Sequence, residues 1–392
     1  MGSYLKMAED YPLKSRALLG RLDMELTERC NNDCIHCYIN LPANDPCKAR
    51  ELSAEKIKAI LMEAVDLGCL TVRFTGGEPL LRDDFQEIYL FARKLGLKVL
   101  LFTNATLITP ELADLFARIP PRKKIEVSVY GMSKKSYEAV TRTPGSFHAA
   151  KMGIALLQER GIPFIVKAAV LSPNKGELDE FEAWAVTIPG MEKPPAYSCF
   201  FDLRARPGSE EKNDQIRQLR ATPEDGIKII SRDRERYLAE MRQFCTRFMK
   251  SSGDRLFSCG AGHGACVDAY GFVQPCMLLR DKEAVYDLRK GTLREALTEF
   301  FPKIRGIKSQ NSDYLSRCGR CFLKGLCEQC PGKSWMEHGT LDTPVEYLCQ
   351  VAHVRALDLG LLREGEKAWA VEDWTKRISA FEDEGMNSEK LK

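Results

Sequence analysis

The sequence predicts an α/β protein that continues into a small cysteine-rich domain, and three observations support this. In the first half of the chain, short β-branched runs alternate with longer amphipathic runs. Eight of the 15 cysteines lie between Cys259 and Cys349, where Gly and short apolar pieces replace that alternation. The 392 residues are 44% hydrophobic and 29% charged, an ordinary globular composition with enough length for two domains.

Six strands are predicted in the first part of the chain, and a helical pattern follows each of the first five. The strands are Leu22–Thr27, Leu70–Thr75, Lys98–Thr103, Lys124–Tyr130, Phe164–Leu171 and Ala196–Leu203. The helical patterns cover residues 53–67, 83–95, 110–118, 134–160, with a break at 144–145, and 177–187. Ser53 and Pro110 stand where helices are expected to begin. This alternation predicts a parallel sheet, and the periodicity alone leaves an open sheet and a partial barrel as alternatives.

The alternation ends at Arg204–Asp225, a charged stretch with Gly and Pro that predicts a loop or linker. Residues 226–250 have a helical pattern and are expected to close the first domain. After Cys349 a helical pattern covers 351–362, and a second amphipathic piece precedes a polar end. The predicted units are an N-terminal extension at 1–21, an α/β domain at 22–250, a cysteine-rich domain at 251–355 and a helical tail at 356–392.

Composition argues against several classes of protein. The net charge of +3 is spread along the chain, which disfavours a dedicated nucleic-acid or membrane surface. No apolar stretch approaches the roughly 18 residues of a membrane span, and the first 22 residues lack the apolar region of a signal peptide. A cytoplasmic protein is therefore predicted, in which so many cysteines indicate metal or Fe–S ligation rather than disulfides.

The most informative motif is a loop with three closely spaced cysteines, Cys30, Cys34 and Cys37, directly after the first predicted strand. Fe–S clusters normally take four cysteines, so three would leave one iron open for another ligand. The alternative is a zinc site completed by His36. Because His36 adjoins Cys37, it is poorly placed to close the same tetrahedron.

A second motif, Gly76-Gly77-Glu78-Pro79, follows the second predicted strand. Two glycines allow the backbone to approach a ligand closely, and a carboxylate can accept hydrogen bonds from an ammonium group. Taken alone, such a sequence is more often an ordinary turn.

Together the two motifs resemble the radical S-adenosylmethionine (SAM) superfamily. The resemblance implies a partial (β/α)6 barrel and a 4Fe–4S cluster on Cys30, Cys34 and Cys37 whose open iron chelates SAM. It also implies that the segment from Gly76 to Pro79 holds the SAM amino group and that Tyr38 packs near the adenine.

Three further residues are candidate SAM contacts through the same resemblance, and each has a structural alternative. Asn104 ends the third strand, where the family has polar groups near SAM, although an ordinary Asx turn fits equally. Ser128 matches a ribose-binding serine, although a backbone carbonyl would also satisfy its hydroxyl. Arg142 resembles an arginine that pairs with the SAM carboxylate, while a solvated residue at a helix end is the competing interpretation.

The second group of cysteines resembles the SPASM domain, which extends radical SAM enzymes that modify peptides and related substrates. The match includes a Gly-x4-Cys element from Gly271 to Cys276 and a dense cysteine block. The family pairing implies two auxiliary 4Fe–4S clusters, one on Cys259, Cys266, Cys276 and Cys330, the other on Cys318, Cys321, Cys327 and Cys349. The family block usually ends Cys-x3-Cys, but only two residues separate Cys327 and Cys330, so their partition stays open. A pair of zinc ribbons is the alternative.

The implied chemistry is reductive cleavage of SAM to a 5′-deoxyadenosyl radical, hydrogen abstraction from a substrate and net oxidation. Our leading hypothesis is maturation of a peptide or protein, and tetrapyrrole side-chain chemistry is the alternative. Formylglycine formation is disfavoured, since sulfatase-maturing relatives carry an aspartate base where this chain has Met277. No catalytic acid or base is predicted. A non-catalytic Fe–S electron carrier would explain the clusters but not the segment from Gly76 to Pro79.

Partners follow from the same hypothesis. A ferredoxin or flavodoxin is expected as electron donor, and neither nucleic acid nor membrane is expected. Only 21 residues precede the first predicted strand, so a peptide substrate would be captured directly or through a separate leader-binding protein.

Overall fold

The computed structural model describes residues 19–191, 193–206 and 208–389. Most of the predicted extension at 1–21, and the last three residues of the predicted tail, lie outside this range. Within it, nine strands form one sheet in the order β11-β10-β9-β1-β4-β5-β6-β7-β8, and β2 and β3 form a separate pair. The strands are β1 Arg21–Thr27, β2 Arg29–Cys30, β3 Leu41–Pro42, β4 Thr71–Gly76, β5 Lys98–Thr103, β6 Ile125–Val129, β7 Phe164–Ala169, β8 Ala196–Ser198, β9 Ala265–Val267, β10 Phe272–Gln274 and β11 Tyr286–Asp287.

The six strands predicted from the sequence correspond to β1 and β4 to β8, which pair in parallel with one another in this sheet. Helices follow the first five of them, as predicted. These helices are Ala54–Asp66, Phe85–Lys94, Pro110–Arg118, Lys134–Thr141, Ser146–Glu159 and Leu178–Ala185. The hydroxyls of Ser53 and Thr109 accept hydrogen bonds from the backbone N–H groups of Lys56 and Leu112, so the expected N-caps are present.

The main core lies between the sheet and these helices. It includes aromatic side chains from successive β/α units, among them Phe74, Tyr89, Phe116 and Phe164. Burying each such side chain contributes roughly 1.5–3 kcal/mol. This packing holds the carboxyl ends of the parallel strands along one edge, where ligands bind in α/β folds.

The cysteine-rich segment extends the same sheet. Strand β9 pairs in parallel with β1, and β10 and β11 follow in antiparallel order. The next helix runs from Leu293–Glu295 through a π-helical stretch, Ala296–Phe300, to Phe301–Arg305. The C-terminal part of the chain is therefore joined directly to the first strand of the barrel.

The prediction of a loop or linker at Arg204–Asp225 was wrong, because helices Glu210–Leu219 and Pro223–Ile230 occupy most of it. In the first of these helices Ile216 is the buried side chain, so the apolar periodicity is too weak to show in the sequence.

The C-terminal helices pack around a second hydrophobic core. Helix Arg234–Phe248 packs there against Phe322, Leu326 and Phe381. The domain boundary near residue 250 stays a prediction, and this packing associates the helix with the C-terminal core rather than the barrel. The other helices of this part are Ser312–Ser316, Pro331–His338, Glu346–Asp358 and Trp374–Glu389. Across the described ranges, no helix has both the length and the apolar character needed to cross a membrane.

Candidate active site

The three N-terminal cysteines lie on one loop at the carboxyl end of β1 and line one cavity of about 320 Å³. The backbone N–H groups of Asn32 and Asn40 donate to the Sγ atoms of Cys30 and Cys37, each at 3.4 Å. Burial raises the pKa of Cys30 to about 12 and that of Cys34 well above its ordinary value. Burial therefore favours the neutral thiol, whereas the N–H groups directed at the Cys30 and Cys37 sulfurs, and the positive core of a cluster when bound, favour the thiolate that binds iron.

The donor set fits an iron–sulfur cluster better than a single ion. Among the residues that the structure describes, no three Cys, His, Asp or Glu side chains converge on a position for one metal ion. In a 4Fe–4S cluster each thiolate binds a different iron, so the thiols need not converge. Three thiols beside a cavity with glycine in its wall fit a cluster with one free iron.

The glycine motif packs directly onto the start of the cysteine loop. Gly77 N–H donates to the carbonyl of Thr27 at 2.7 Å, and Glu78 N–H donates to the carbonyl of Arg29 at 2.9 Å. A Cβ atom at Gly76 would lie 2.0 Å from the Thr27 oxygen, and one at Gly77 would lie 2.2 Å from the Arg29 oxygen. Both positions therefore require glycine, and the turn is fixed against the loop by main-chain contacts.

The motif suggested that Glu78 contacts the SAM amino group, but its side chain is not among those that line the cavity. Its carboxylate accepts hydrogen bonds from Leu80 N, Thr103 Oγ1 and Asn104 N at 3.1, 2.8 and 2.8 Å. The residue is fully buried, and burial raises its pKa to about 7. The Glu78 side chain fastens the glycine turn to the end of β5 and is not part of the cavity wall, to which Gly76 and Gly77 contribute. Pro79 is buried at the start of the short 3-10 helix Pro79–Leu81.

Three of the other predicted SAM contacts lie in the cavity wall, and the fourth does not. Tyr38, Asn104 and Ser128 line the cavity. The Asn104 amide is 3.7 Å from the Sγ atom of Cys30. Arg142 instead ends helix Lys134–Thr141 and pairs with Asp33 at 2.6 Å. With 42% of its side chain exposed and its charge already paired, Arg142 is not positioned at the cavity.

The structure brings one predicted auxiliary quartet together. Its four thiols line one small pocket, beside Arg317, Lys324 and His353. The four are Cys318, Cys321, Cys327 and Cys349. The sulfur of Cys349 lies 3.6 Å from the Nδ1 atom of His353. Four thiols on one pocket, that of Cys321 buried and the other three half-buried, are the donor set of a closed cluster.

Three members of the other predicted quartet are neighbours. Burial, together with the thiols of Cys330 and Cys259, raises the pKa of Cys276 to about 11. The fourth member, Cys266, lies on β9, where burial and then Glu25 raise its pKa. Cys266 pairs across the sheet with Asp23 of β1 and Gln274 of β10.

Comparison with known proteins agrees with this geometry. Residues 24–185 match the family model of the radical SAM superfamily. The chain contains a radical SAM domain. It is 28% identical to the AdoMet-dependent heme synthase of Methanosarcina barkeri, over 80% of this chain and 92% of that protein. It is 34% identical to the mycofactocin maturase MftC of Mycolicibacterium smegmatis, over 42% of this chain and 41% of that protein.

Comparison with a solved structure confirms the fold. The structure of Streptococcus suis SuiB bound to S-adenosylmethionine superposes with a TM-score of 0.62 and 17% identity, over 85% of this chain and 78% of that chain. The predicted partial barrel of the radical SAM type is thus confirmed.

The cavity beside the three cysteines is also lined by residues that sequence reasoning missed. They include Lys167, Phe200, Phe201 and Asp202 from β7 and the segment after β8. Met277, noted above as the residue in place of an aspartate base, also lines this cavity. The rule that parallel strands present ligand-binding residues at their carboxyl ends could have indicated Phe200 to Asp202.

Asp202 connects this cavity to the cysteine-rich segment. The Lys333 ammonium lies 3.0 Å from the Asp202 carboxylate and 2.8 Å from the Glu328 carboxylate. Lys333 is buried on the helix that follows Cys330. A buried ammonium between two carboxylates joins the cavity wall to the block that contains Cys327 and Cys330.

Proposed function

We propose that this radical SAM enzyme oxidises a short arm of a larger substrate and carries two auxiliary 4Fe–4S clusters of the SPASM type. One observation supports this most strongly: the four thiols of Cys318, Cys321, Cys327 and Cys349 line a single pocket away from the SAM cavity. Cys276, Cys330 and Cys259, with Cys266 as fourth ligand, are the proposed second set. Closed clusters serve as one-electron acceptors, which favours a net oxidation over an isomerisation.

Cys30, Cys34 and Cys37 would hold the third cluster, and Gly76, Gly77, Tyr38, Asn104 and Ser128 would border SAM. When bound, cluster and SAM supply a 5′-deoxyadenosyl radical that takes a hydrogen atom from the substrate. The chain's own residues orient the substrate and exclude water, because the cavity wall is largely apolar and aromatic.

The cavity volume bears on the kind of substrate. About 320 Å³ is near the lower end of the range of roughly 300–1,000 Å³ for small-molecule sites. The cluster and SAM together would fill that space, so a substrate would insert at most a short group. An amino-acid side chain of a peptide meets this requirement, and peptide maturation remains our leading hypothesis.

A tetrapyrrole carboxylate arm is the second candidate. The observation in its favour is the similarity to an AdoMet-dependent heme synthase over 92% of that protein. The mycofactocin maturase match covers 41% of its protein. A peripheral propionate arm of a tetrapyrrole would also enter a small cavity while the macrocycle stays outside.

Anaerobic reconstitution tests the clusters. We expect about twelve irons per chain, since each of three clusters holds four, and 5′-deoxyadenosine formation from SAM with dithionite. The double variant Cys321→Ala/Cys349→Ala should lose about four irons, whereas Cys199→Ala, outside both groups, should lose none. A content of about four irons in the wild-type protein would contradict the auxiliary clusters, and the absence of 5′-deoxyadenosine would favour an electron carrier.

The substrate class is tested by adding iron-coproporphyrin III or the peptides encoded beside this chain's gene. Peptide maturation predicts a mass change in one of those peptides, dependent on SAM, with the porphyrin unchanged. Loss of carbon dioxide and two hydrogens from a porphyrin propionate would instead establish the second candidate.

A further inference from the structure

Residues 201–206 and 208–219, which follow β8 and are called segment 201–219 below, lie across the cysteine loop. Its apolar side chains Phe201, Leu203 and Ile216 form one cluster with Ile35 of the loop partly buried against it. The ring of His36 is 5.0 Å from that of Phe201. The supposed linker is therefore packed onto the loop that carries Cys30, Cys34 and Cys37.

Two cations of this segment contact the loop's main chain. Arg204 donates from Nη2 to the carbonyl of Asn40 at 2.7 Å and from Nη1 to that of Cys37 at 3.4 Å. It also donates to the Asn40 side-chain oxygen at 3.0 Å. Lys212 Nζ donates to the carbonyl of Cys34 at 3.2 Å. The carbonyls of two of the three proposed ligands thus accept hydrogen bonds from a positive group.

Arg204 is held in place by its own segment. Arg204 N–H donates to Asn213 Oδ1 at 2.7 Å, and Asn213 Nδ2 donates back to the Arg204 carbonyl at 3.3 Å. Both cations are half-buried, so solvent screens them less than surface charges. Two further ion pairs on this part of the loop, Arg142 with Asp33 and Arg206 with Glu28, add no net charge. The loop therefore faces an excess of positive charge.

We propose that segment 201–219 is an electrostatic clamp, in which Arg204 and Lys212 hold the cysteine loop and raise the reduction potential of its cluster. The proposal rests on the proposed function, since it assumes a cluster on Cys30, Cys34 and Cys37. Reduction adds one negative charge to the cluster, and nearby positive charges at reduced dielectric favour the reduced state. Arg204 and Lys212 are positioning residues, because they contact the loop rather than the reacting atoms.

The test is a potentiometric titration of the reconstituted holoenzyme, followed by EPR. The SAM-binding cluster is identified as the one whose spectrum changes when SAM is added. Arg204→Gln and Lys212→Gln should each lower its midpoint potential, whereas Arg204→Lys and Lys212→Arg, which keep the charge, should leave it close to the wild-type value. The matched control is Lys228→Gln, an exposed lysine 3.8 Å from Asp225 on the neighbouring helix.

The clamp is overturned if the glutamine variants shift the potential no more than Lys228→Gln does. If they lose the cluster altogether, retention by the charge-conserving variants supports the clamp, and loss in those as well overturns it. Hydrogen exchange of the loop amides in the purified protein is a second readout and should be faster in both glutamine variants. A triple variant Cys30→Ala/Cys34→Ala/Cys37→Ala with undiminished iron would refute the proposed function, and the hydrogen-exchange result would still decide whether the segment holds the loop.

Discussion

Replacing Arg280 by methionine is expected to lower the free energy of unfolding by about 3–5 kcal/mol, the usual cost of stranding one member of a buried ion pair. Arg280 donates from Nη2 to both carboxylate oxygens of Glu25, at 2.6 and 2.7 Å. The Glu25 side chain has no exposed surface, and Arg280 is 13% exposed. The pair joins β1 to the segment after Cys276, so the loss would weaken the contact between barrel and cysteine-rich domain.

The decrease in the free energy of unfolding caused by Arg280→Met should also depend on pH. Burial raises the pKa of Glu25 from 4.5 to about 7, even though Arg280 acts in the opposite direction. A carboxyl whose pKa is raised by folding destabilises the folded state progressively as pH rises from the unfolded to the folded pKa. Without Arg280 the folded pKa rises further, so the variant should lose more stability at pH 8 than at pH 5.

Urea unfolding of the wild-type and variant proteins at both pH values measures this effect. Adding Glu25→Gln to Arg280→Met removes the stranded charge and should recover more than half of the loss. The control is Arg289→Met, whose guanidinium is 60% exposed and pairs with Asp287. That change should cost less than about 1 kcal/mol. An Arg280→Met variant as stable as Arg289→Met would show that the buried pair contributes little.

This pair shows what one sequence can predict. The strands and helices of the barrel were predictable because their apolar periodicity is local, and the caps at Ser53 and Thr109 mark where helices begin. Glu25 and Arg280 are 255 positions apart. Nothing in either local pattern indicates that they meet, because the pairing depends on β9 joining the sheet beside β1.

The candidate site likewise has features that a local pattern predicts and features that depend on distant residues. The cysteine loop and the glycine turn were predictable as motifs, since their residue types and spacing reflect the chemistry. The place of Glu78 was not, because its partners Thr103 and Asn104 come from another strand end. Lys212 was missed because a polar surface helix with one buried side chain, Ile216, has the composition of a linker, and Arg204 because it precedes that helix in the same charged stretch.

Replacing Glu78 by glutamine should weaken SAM binding by about 10- to 100-fold, which corresponds to roughly 1–3 kcal/mol for a buried donor left unsatisfied. The two carboxylate oxygens of Glu78 accept from two backbone N–H groups, those of Leu80 and Asn104. Glutamine has one acceptor oxygen, so its amide NH2 would face one of these donors. The Thr103 hydroxyl can rotate and accept a hydrogen bond from the glutamine amide, but the main-chain N–H groups of Leu80 and Asn104 can only donate. The strain would fall on the glycine turn and on Asn104, both of which border the SAM cavity.

Calorimetric titration of the reconstituted enzyme with SAM measures the affinity, and 5′-deoxyadenosine formation at saturating SAM measures cleavage separately. The matched control is Glu87→Gln on helix Phe85–Lys94, where the carboxylate is 54% exposed and pairs with Lys58. Glu87→Gln should bind SAM as the wild type does, since an exposed pair contributes little.

If Glu78→Gln also binds SAM normally and is equally stable, the three hydrogen bonds of Glu78 do not hold the turn. The main-chain contacts from Gly77 to Thr27 and from Glu78 to Arg29 would then suffice to fix it. Loss of affinity in Glu78→Gln alone, with Glu87→Gln unchanged, would instead show that the motif glutamate supports SAM binding.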